Sequence, residues 1–397
     1  MGGSRTFFSS FFTATILMAQ QKSRFLYIDL LRGWAVIVMV EVHVFNAFLI
    51  PTFREEAWFK VLNFINGLVA PSFLFIAGYS FVLIAQRKWN DYLSFNETFW
   101  KQLGRIFQVL VVGYALHIPF FSFSKLCEIN WQEWSVFWKV DVLHTIAVSL
   151  LILLVVLIVT RTQKKYFASV AVIAMVMIFG SPLMYDRNID HLLPEPIANY
   201  LTAAHRSQFP VFPWMGFVLC GGITSQLLIW WKEIIEEQKI FRRFFSAGII
   251  LIVVSIGIEL LPITIYPAYD FWRSSPGFFF IRLGIVLIIL STLWYWEKTV
   301  QSKTSMVSVV GSESLTAYAG HLLVIYGMFW NNKSLAFIIG KSRTVPEVIG
   351  MTIALIAATI AVSYVWNRIK KWSMFYARVL MYSILVVVLY IFFTNSF

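Results

Sequence analysis

The stretch from Arg24 to Asn46 constrains this chain most. It is apolar enough and long enough to span a membrane as a helix, yet it carries Asp29, Arg32, Glu41, His43 and Asn46. An ionisable side chain near the bilayer centre costs at least ~2.5 kcal/mol, so such groups usually mark a site or a pathway. Arg32 and His43 are eleven residues apart. At ~100° per residue they point within about 20° of each other, separated by ~16 Å along the axis. Asp29 and Asn46 fall within about 60° of the same stripe. One face of this helix is therefore polar from end to end. Glu41 points roughly the opposite way and needs a partner of its own.

The rest of the chain is built for lipid. Its residues are 59% hydrophobic and 13% charged, where a soluble domain carries about 25% charge. Runs of about 17–25 apolar residues count as spans. Eleven are expected, at 27–50, 65–86, 103–121, 140–160, 167–184, 209–230, 244–262, 278–296, 307–330, 348–366 and 376–394. The fold class is thus all-α, a polytopic membrane protein of about eleven transmembrane helices. The formal net charge of +12 lies in short loops. That is topological bias and not a nucleic-acid surface. With the N-terminus inside, twenty basic residues fall on the inner side, among them Arg5, Lys22, Arg24, Arg87, Lys88, Lys101 and Arg105, and ten on the outer side. The bias sets the N-terminus inside and the C-terminus outside.

Residues 1–20 are read as an N-terminal tail and 21–397 as one transmembrane domain. Arg5 followed by Phe7–Ala19 has the pattern of a weak signal peptide or an interfacial segment. The preferred reading is a true start at Met18. Cys127 and Cys220 form no metal-ligand spacing.

Depth picks out further polar groups. His43 lies ~10 Å below the outer surface. His117 ends the third span, Asp141 and His144 open the fourth, and His321 with Tyr318 lies in the outer half of the ninth. Asp141 and His144, three apart, share a helix face. Each has a plain structural alternative: an interhelical hydrogen bond, or for Asp141 an acid stabilising its own helix N-terminus. Convergence of four imidazoles on one level also suits general-base chemistry. Three histidines can bind zinc, but no pair has the i,i+4 spacing of a helical zinc motif, so no metal is expected. Arg32 near Arg105, Arg87, Lys88 and Lys101 suits phosphate groups, although Arg32 can also pair with Asp29 at i,i+3. Glu259 and Arg282 are expected to pair with each other, the alternative being an exposed rim for a polar acceptor.

Several segments resemble the heparan-α-glucosaminide N-acetyltransferase-like family of multispan proteins. They are Tyr27-Ile-Asp-Leu-Leu-Arg-Gly with His43, Pro71-Ser-Phe-Leu-Phe-Ile-Ala-Gly78, Gly113-Tyr-Ala-Leu-His117, Val140-Asp-Val-Leu-His-Thr-Ile-Ala147, Phe209-Pro210 and Ser314-Leu-Thr-Ala-Tyr-Ala-Gly-His321-Leu. The Arg-x10-His arrangement is also similar to broader membrane acyltransferases that modify surface sugars. The resemblance implies transfer of an acyl group, acetyl first, from cytosolic acyl-CoA to a sugar hydroxyl or amine at the far face. It puts His43, with Asn46, in the catalytic place. Arg32, Asp29 and Arg105 become donor-binding residues, and His117, Asp141, His144 and His321 acceptor-binding ones. The expected surroundings are the lipid bilayer, acyl-CoA and a glycan or glycolipid, with a homodimer allowed. Lysosomal members carry a large lumenal region that this chain lacks, so the inner (plasma) membrane of a bacterial-type cell is the expected location. A multispan transporter of a polar or anionic solute is the alternative reading, because intramembrane charges and proline-interrupted spans also describe transporters.

Overall fold

The computed structural model describes residues 25–261, 265–266, 269–300, 305–327 and 334–395. The readings that rest on Arg5, Met18, Lys22 and Arg24 lie outside them. The described residues are all-α, without strands. Thirteen longer helices carry the architecture: α1 (Leu26–Phe48), α2 (Ala57–Asn66), α3 (Val69–Arg87), α4 (Glu97–Ala115), α5 (Val142–Thr160), α6 (Gln163–Phe179), α7 (Val211–Lys232), α8 (Glu237–Glu259), α9 (Pro276–Val300), α10 (Met306–Ser312), α11 (Ser314–Tyr326), α12 (Val345–Trp372) and α13 (Met374–Thr394).

Among the described residues, seven helical stretches are long and apolar enough to cross a membrane: 57–87, α5, α7, α8, α9, α12 and α13. Each of the other expected spans also contains helix, but with a feature that sets it apart. α1 carries the ionisable stripe. α4 carries Lys101, Gln102 and Arg105. α6 has 17 residues. The ninth expected span is broken in two at Glu313, between α10 and α11.

One boundary needs correction. The third span was expected at 103–121, with His117 ending it. The helix instead begins at Glu97, because the Asn96 side chain accepts from the Thr98 N–H at 2.9 Å and caps it. It stops at Ala115, so His117 sits in the turn beyond.

α1 is the central element. α3, α9, α10, α11 and α12 pack against it. α10 comes closest. A Cβ on Gly33 would collide with the backbone carbonyl of Val307, and one on Gly311 with that of Asp29. Two glycines thus let α10 lie backbone to backbone on α1 at the level of Arg32. The far end of α1 is tied differently. Arg343 N donates to Phe48 O at 2.9 Å, and Ile50 N donates to Arg343 O at 3.1 Å, which joins the end of α1 to the start of α12.

Candidate functional site: a cavity pair running along the first helix

The polar stripe of α1 connects two clusters. At the Arg32 end lies a cavity of about 660 Å³. Its lining includes Arg32, Arg87, Lys88, Lys101 and Arg105, with Asp29, Glu97, Ser80, Gln102 and Ser312. Arg32 donates to Asp29 Oδ1 at 3.3 Å and to Ser80 Oγ at 2.5 Å. The salt bridge that the i,i+3 spacing allows is present, and Arg32 lines the cavity as well. Lys101, 2.7 Å from Glu97, holds that carboxyl below the usual carboxylate range. Five cations against two carboxylates leave this cavity suited to a polyanion.

A second cavity of about 260 Å³ adjoins the first. The two share Arg32, Ser80, Ile84, Gln102 and Arg105. Beyond that neck the walls turn apolar, with Phe73, Ile76, Phe81, Val109, Leu143 and Ile146, and they reach Tyr318. Tyr318 marks the start of the imidazole cluster. Its hydroxyl donates to Asp141 Oδ2 at 3.4 Å.

Asp141 holds this cluster together. It caps α5, its Oδ1 accepting from the N–H groups of Leu143 at 2.9 Å and His144 at 3.3 Å. The same oxygen accepts from His144 Nδ1 at 2.8 Å. The Asp141 backbone N–H lies 3.3 Å from that nitrogen. The shorter contact to the carboxylate puts the proton on Nδ1. Both readings of Asp141, helix cap and imidazole partner, are thus true at once. His117 lies alongside, its ring 5.4 Å from that of His144 and its Nδ1 4.0 Å from Asp141 Oδ2. His117 Nδ1 donates to Gly113 O at 3.0 Å, and His321 Nδ1 to Ala317 O at 2.8 Å. In all three rings Nδ1 is committed, which leaves Nε2 as the nitrogen able to take a proton. Nε2 of His144 and of His321 is buried without a hydrogen-bond partner among the described residues.

His43 stands at the far end of the stripe. Its ring lies 5.3 Å from that of His321, and its Nδ1 is 3.4 Å from the Tyr326 hydroxyl. His144 and His321 are buried, whereas His43 and His117 are half-buried. The half-buried pair is therefore the one an incoming molecule can meet. Asn46 lies at the end of α1 with its residue exposed, and its backbone carbonyl accepts from Arg54 at 2.8 Å.

His117, Asp141 and His144 bring ligand-type atoms within 4.8 Å of one another. Their nitrogens and oxygens nearest each other are engaged in the hydrogen bonds just described. That is the geometry of fixed tautomers around a carboxylate, as in imidazole acid–base chemistry.

Glu41 finds its partner in Asn66, whose Nδ2 donates to Oε1 at 3.4 Å. The expected Glu259–Arg282 pair is not formed. Glu259 accepts from Ser275 Oγ at 2.8 Å, and Arg282 lies over the Phe278 ring at 4.0 Å. A ring face and a serine satisfy these groups separately, which short side-chain reach allows and sequence spacing does not reveal. His205, in the loop before α7, pairs with Asp190 at 2.6 Å and stands apart from the cluster.

Sequence reasoning missed Ser80, Gln102, Ser312 and Tyr326. Gln102 had a signal, since it lies one turn before Arg105, whereas Ser80 had none, because which side of α3 meets the Arg32 stripe depends on how the helices pack. Tyr326 had none, because its five-residue separation from His321 puts it off that helix face.

A search of curated proteins returned no match for the chain. The profile of the heparan-alpha-glucosaminide N-acetyltransferase catalytic domain matches residues 24–267. The match spans Asp29, Arg32, His43, Asn46, Arg105, His117, Asp141 and His144, and it ends before His321. With more than half of the chain matched, this multi-pass membrane protein belongs to the heparan-alpha-glucosaminide N-acetyltransferase catalytic-domain family.

Proposed function

We propose that the protein is a membrane acyltransferase. It takes an acyl group, acetyl by preference, from acyl-CoA and passes it to a hydroxyl or amine of a sugar at the opposite face. One observation carries this reading. A cation-lined cavity and an apolar-walled cavity share Arg32, Ser80, Gln102 and Arg105, and the second ends at the tyrosine that bonds Asp141. An acyl-CoA has the same order of parts: phosphates, a less polar arm, then the thioester.

In this reading the phosphates meet Arg32, Arg105, Lys101, Arg87 and Lys88 by charge-assisted hydrogen bonds. The arm passes the neck and brings the thioester carbonyl to the imidazole cluster. His43 takes the proton of the acceptor hydroxyl or amine. The acceptor atom bonds to the carbonyl carbon, the carbon–sulfur bond breaks, and the thiolate regains a proton to leave as CoA thiol. His117, His144 and His321 hold the acceptor and the developing oxyanion. The donor side faces the cytosol, with the N-terminus inside and the C-terminus outside, in the inner (plasma) membrane of a bacterial-type cell.

The test uses the full chain in lipid nanodiscs with radiolabelled acetyl-CoA and a panel of amino sugars and oligosaccharides. Transfer of label with release of CoA thiol is expected, and His43→Ala abolishes it. Folded protein that neither binds acetyl-CoA nor transfers label refutes the reading. Uptake of a panel solute into proteoliposomes without acetyl-CoA would replace it with transport.

A further inference from the structure

α11 runs from the second cavity to His43. Ser314, Leu315 and Tyr318 line the apolar-walled cavity, His321 touches His43, and Tyr326 reaches His43 Nδ1. The position of this one helix therefore sets where these five side chains sit. Its start is a break. α10 ends at Ser312, Glu313 adopts φ −109° and ψ 24°, and α11 begins at Ser314. Ser312 lines the basic cavity on one side of the break, and Ser314 the second cavity on the other.

Glu313 is the residue at the break, and it is 5% exposed. A carboxylate at this position could cap α11, yet its side chain makes no capping bond. It is held from the other side. Lys370 Nζ lies 2.5 Å from Oε2, and Asn367 Nδ2 donates to Oε1 at 2.8 Å. Asn367 Nδ2 also lies 3.4 Å from Ser312 Oγ. Both partners come from the last turns of α12, a helix that supplies no lining residue to either cavity. A buried carboxylate so placed needs both partners, since removing one strands the charge.

We infer that Glu313, locked by Asn367 and Lys370, is a positioning residue that fixes the start of α11 and so the register of Ser314, Tyr318 and His321 along the path. The lock acts where α10 is already pinned to α1 through Gly33 and Gly311. α10 thereby sets one side of the break and α12 the other. The consequence for catalysis rests on the acyltransferase reading. The consequence for helix position does not.

The experiment separates the two. In a chain with Cys127→Ser and Cys220→Ser, Ser314→Cys reports the cavity wall through its labelling rate with a charged maleimide. Lys370→Met is expected to change that rate several-fold, and Lys370→Arg to restore it. Under the acyltransferase reading, Lys370→Met lowers kcat by about 10- to 100-fold, the scale of an ångström-level misplacement. Its acetyl-CoA Kd stays close to that of the parent, because the cationic cavity is intact. Rescue of kcat by Lys370→Arg supports the inference. Unchanged labelling in folded Lys370→Met overturns it, as does a lower yield of folded protein with parental kcat per folded molecule. If the parent itself does not bind acetyl-CoA, the acyltransferase reading fails while the labelling still decides the lock.

Discussion

Asp141 does two jobs that a pair of substitutions can separate. Its carboxylate caps α5 through Leu143 and His144, and it holds the Nδ1 proton of His144. Asparagine caps helices about as well as aspartate, whereas alanine loses typically ~1 kcal/mol of cap stabilisation. Alanine also strands His144 Nδ1 and the Tyr318 hydroxyl in a buried site, at about 1–3 kcal/mol for each unsatisfied group. Asp141→Ala should therefore destabilise the protein by about 5 kcal/mol with each penalty near the middle of its range. Asp141→Asn keeps the cap and an acceptor oxygen but trades a charge-assisted bond for a neutral one, so it should cost only about 1–1.5 kcal/mol. Function should not follow the same order. Both variants lose the charge-assisted bond to His144, worth about 1.5–3 kcal/mol. Expressed fully in the transition state, that is about 10- to 150-fold in turnover.

Unfolding in nanodiscs followed by tryptophan fluorescence reads the first effect, and acetyl transfer per folded molecule reads the second. The expected pattern is a stable Asp141→Asn with turnover nearly as low as that of Asp141→Ala. If Asp141→Asn is as unstable as Asp141→Ala, the cap argument is wrong. If it is stable and fully active, the carboxylate–imidazole pair has no part in the chemistry.

His43→Ala should fold and bind acetyl-CoA but lose at least ~100-fold in turnover, with smaller losses for His117→Ala and His321→Ala. Arg32→Ala should weaken acetyl-CoA binding in calorimetry more than it weakens acceptor binding, and recovery in Asp29→Asn/Arg32→Gln would reassign Arg32 to a structural pair. Gly33→Ala puts a methyl group against the Val307 carbonyl, so the yield of folded protein should fall sharply, which size-exclusion chromatography reads. A cysteine replacing Asn130 should react with an impermeant reagent from outside intact cells, and labelling only from inside would reverse the proposed orientation.

The stripe on α1 was legible because helical periodicity turns sequence spacing into direction and depth, and Arg32, Asp29 and His43 needed nothing else. The Asp141–His144 pair was legible for the same reason, three residues apart on one face. What could not be read is what depends on how helices lie against each other. Asn96 caps α4 at Glu97, six residues before the apolar run begins, and the helix separately stops at Ala115, short of His117, although the apolar run continues. The ninth apolar run gives no sign of a break, since Glu313 is one charge between Ser312 and Ser314. Only Lys370 and Asn367, more than fifty positions on, explain why a carboxylate is tolerated there. Arg282 shows the opposite limit: a cation in an apolar run implied a carboxylate partner, and Phe278 one turn earlier on its own helix supplies a ring face instead. In this chain the local rules located the chemical groups. The partners that hold those groups in register came from distant segments, and the Glu313 lock is the case in which such a partner reaches the proposed donor path without lining it.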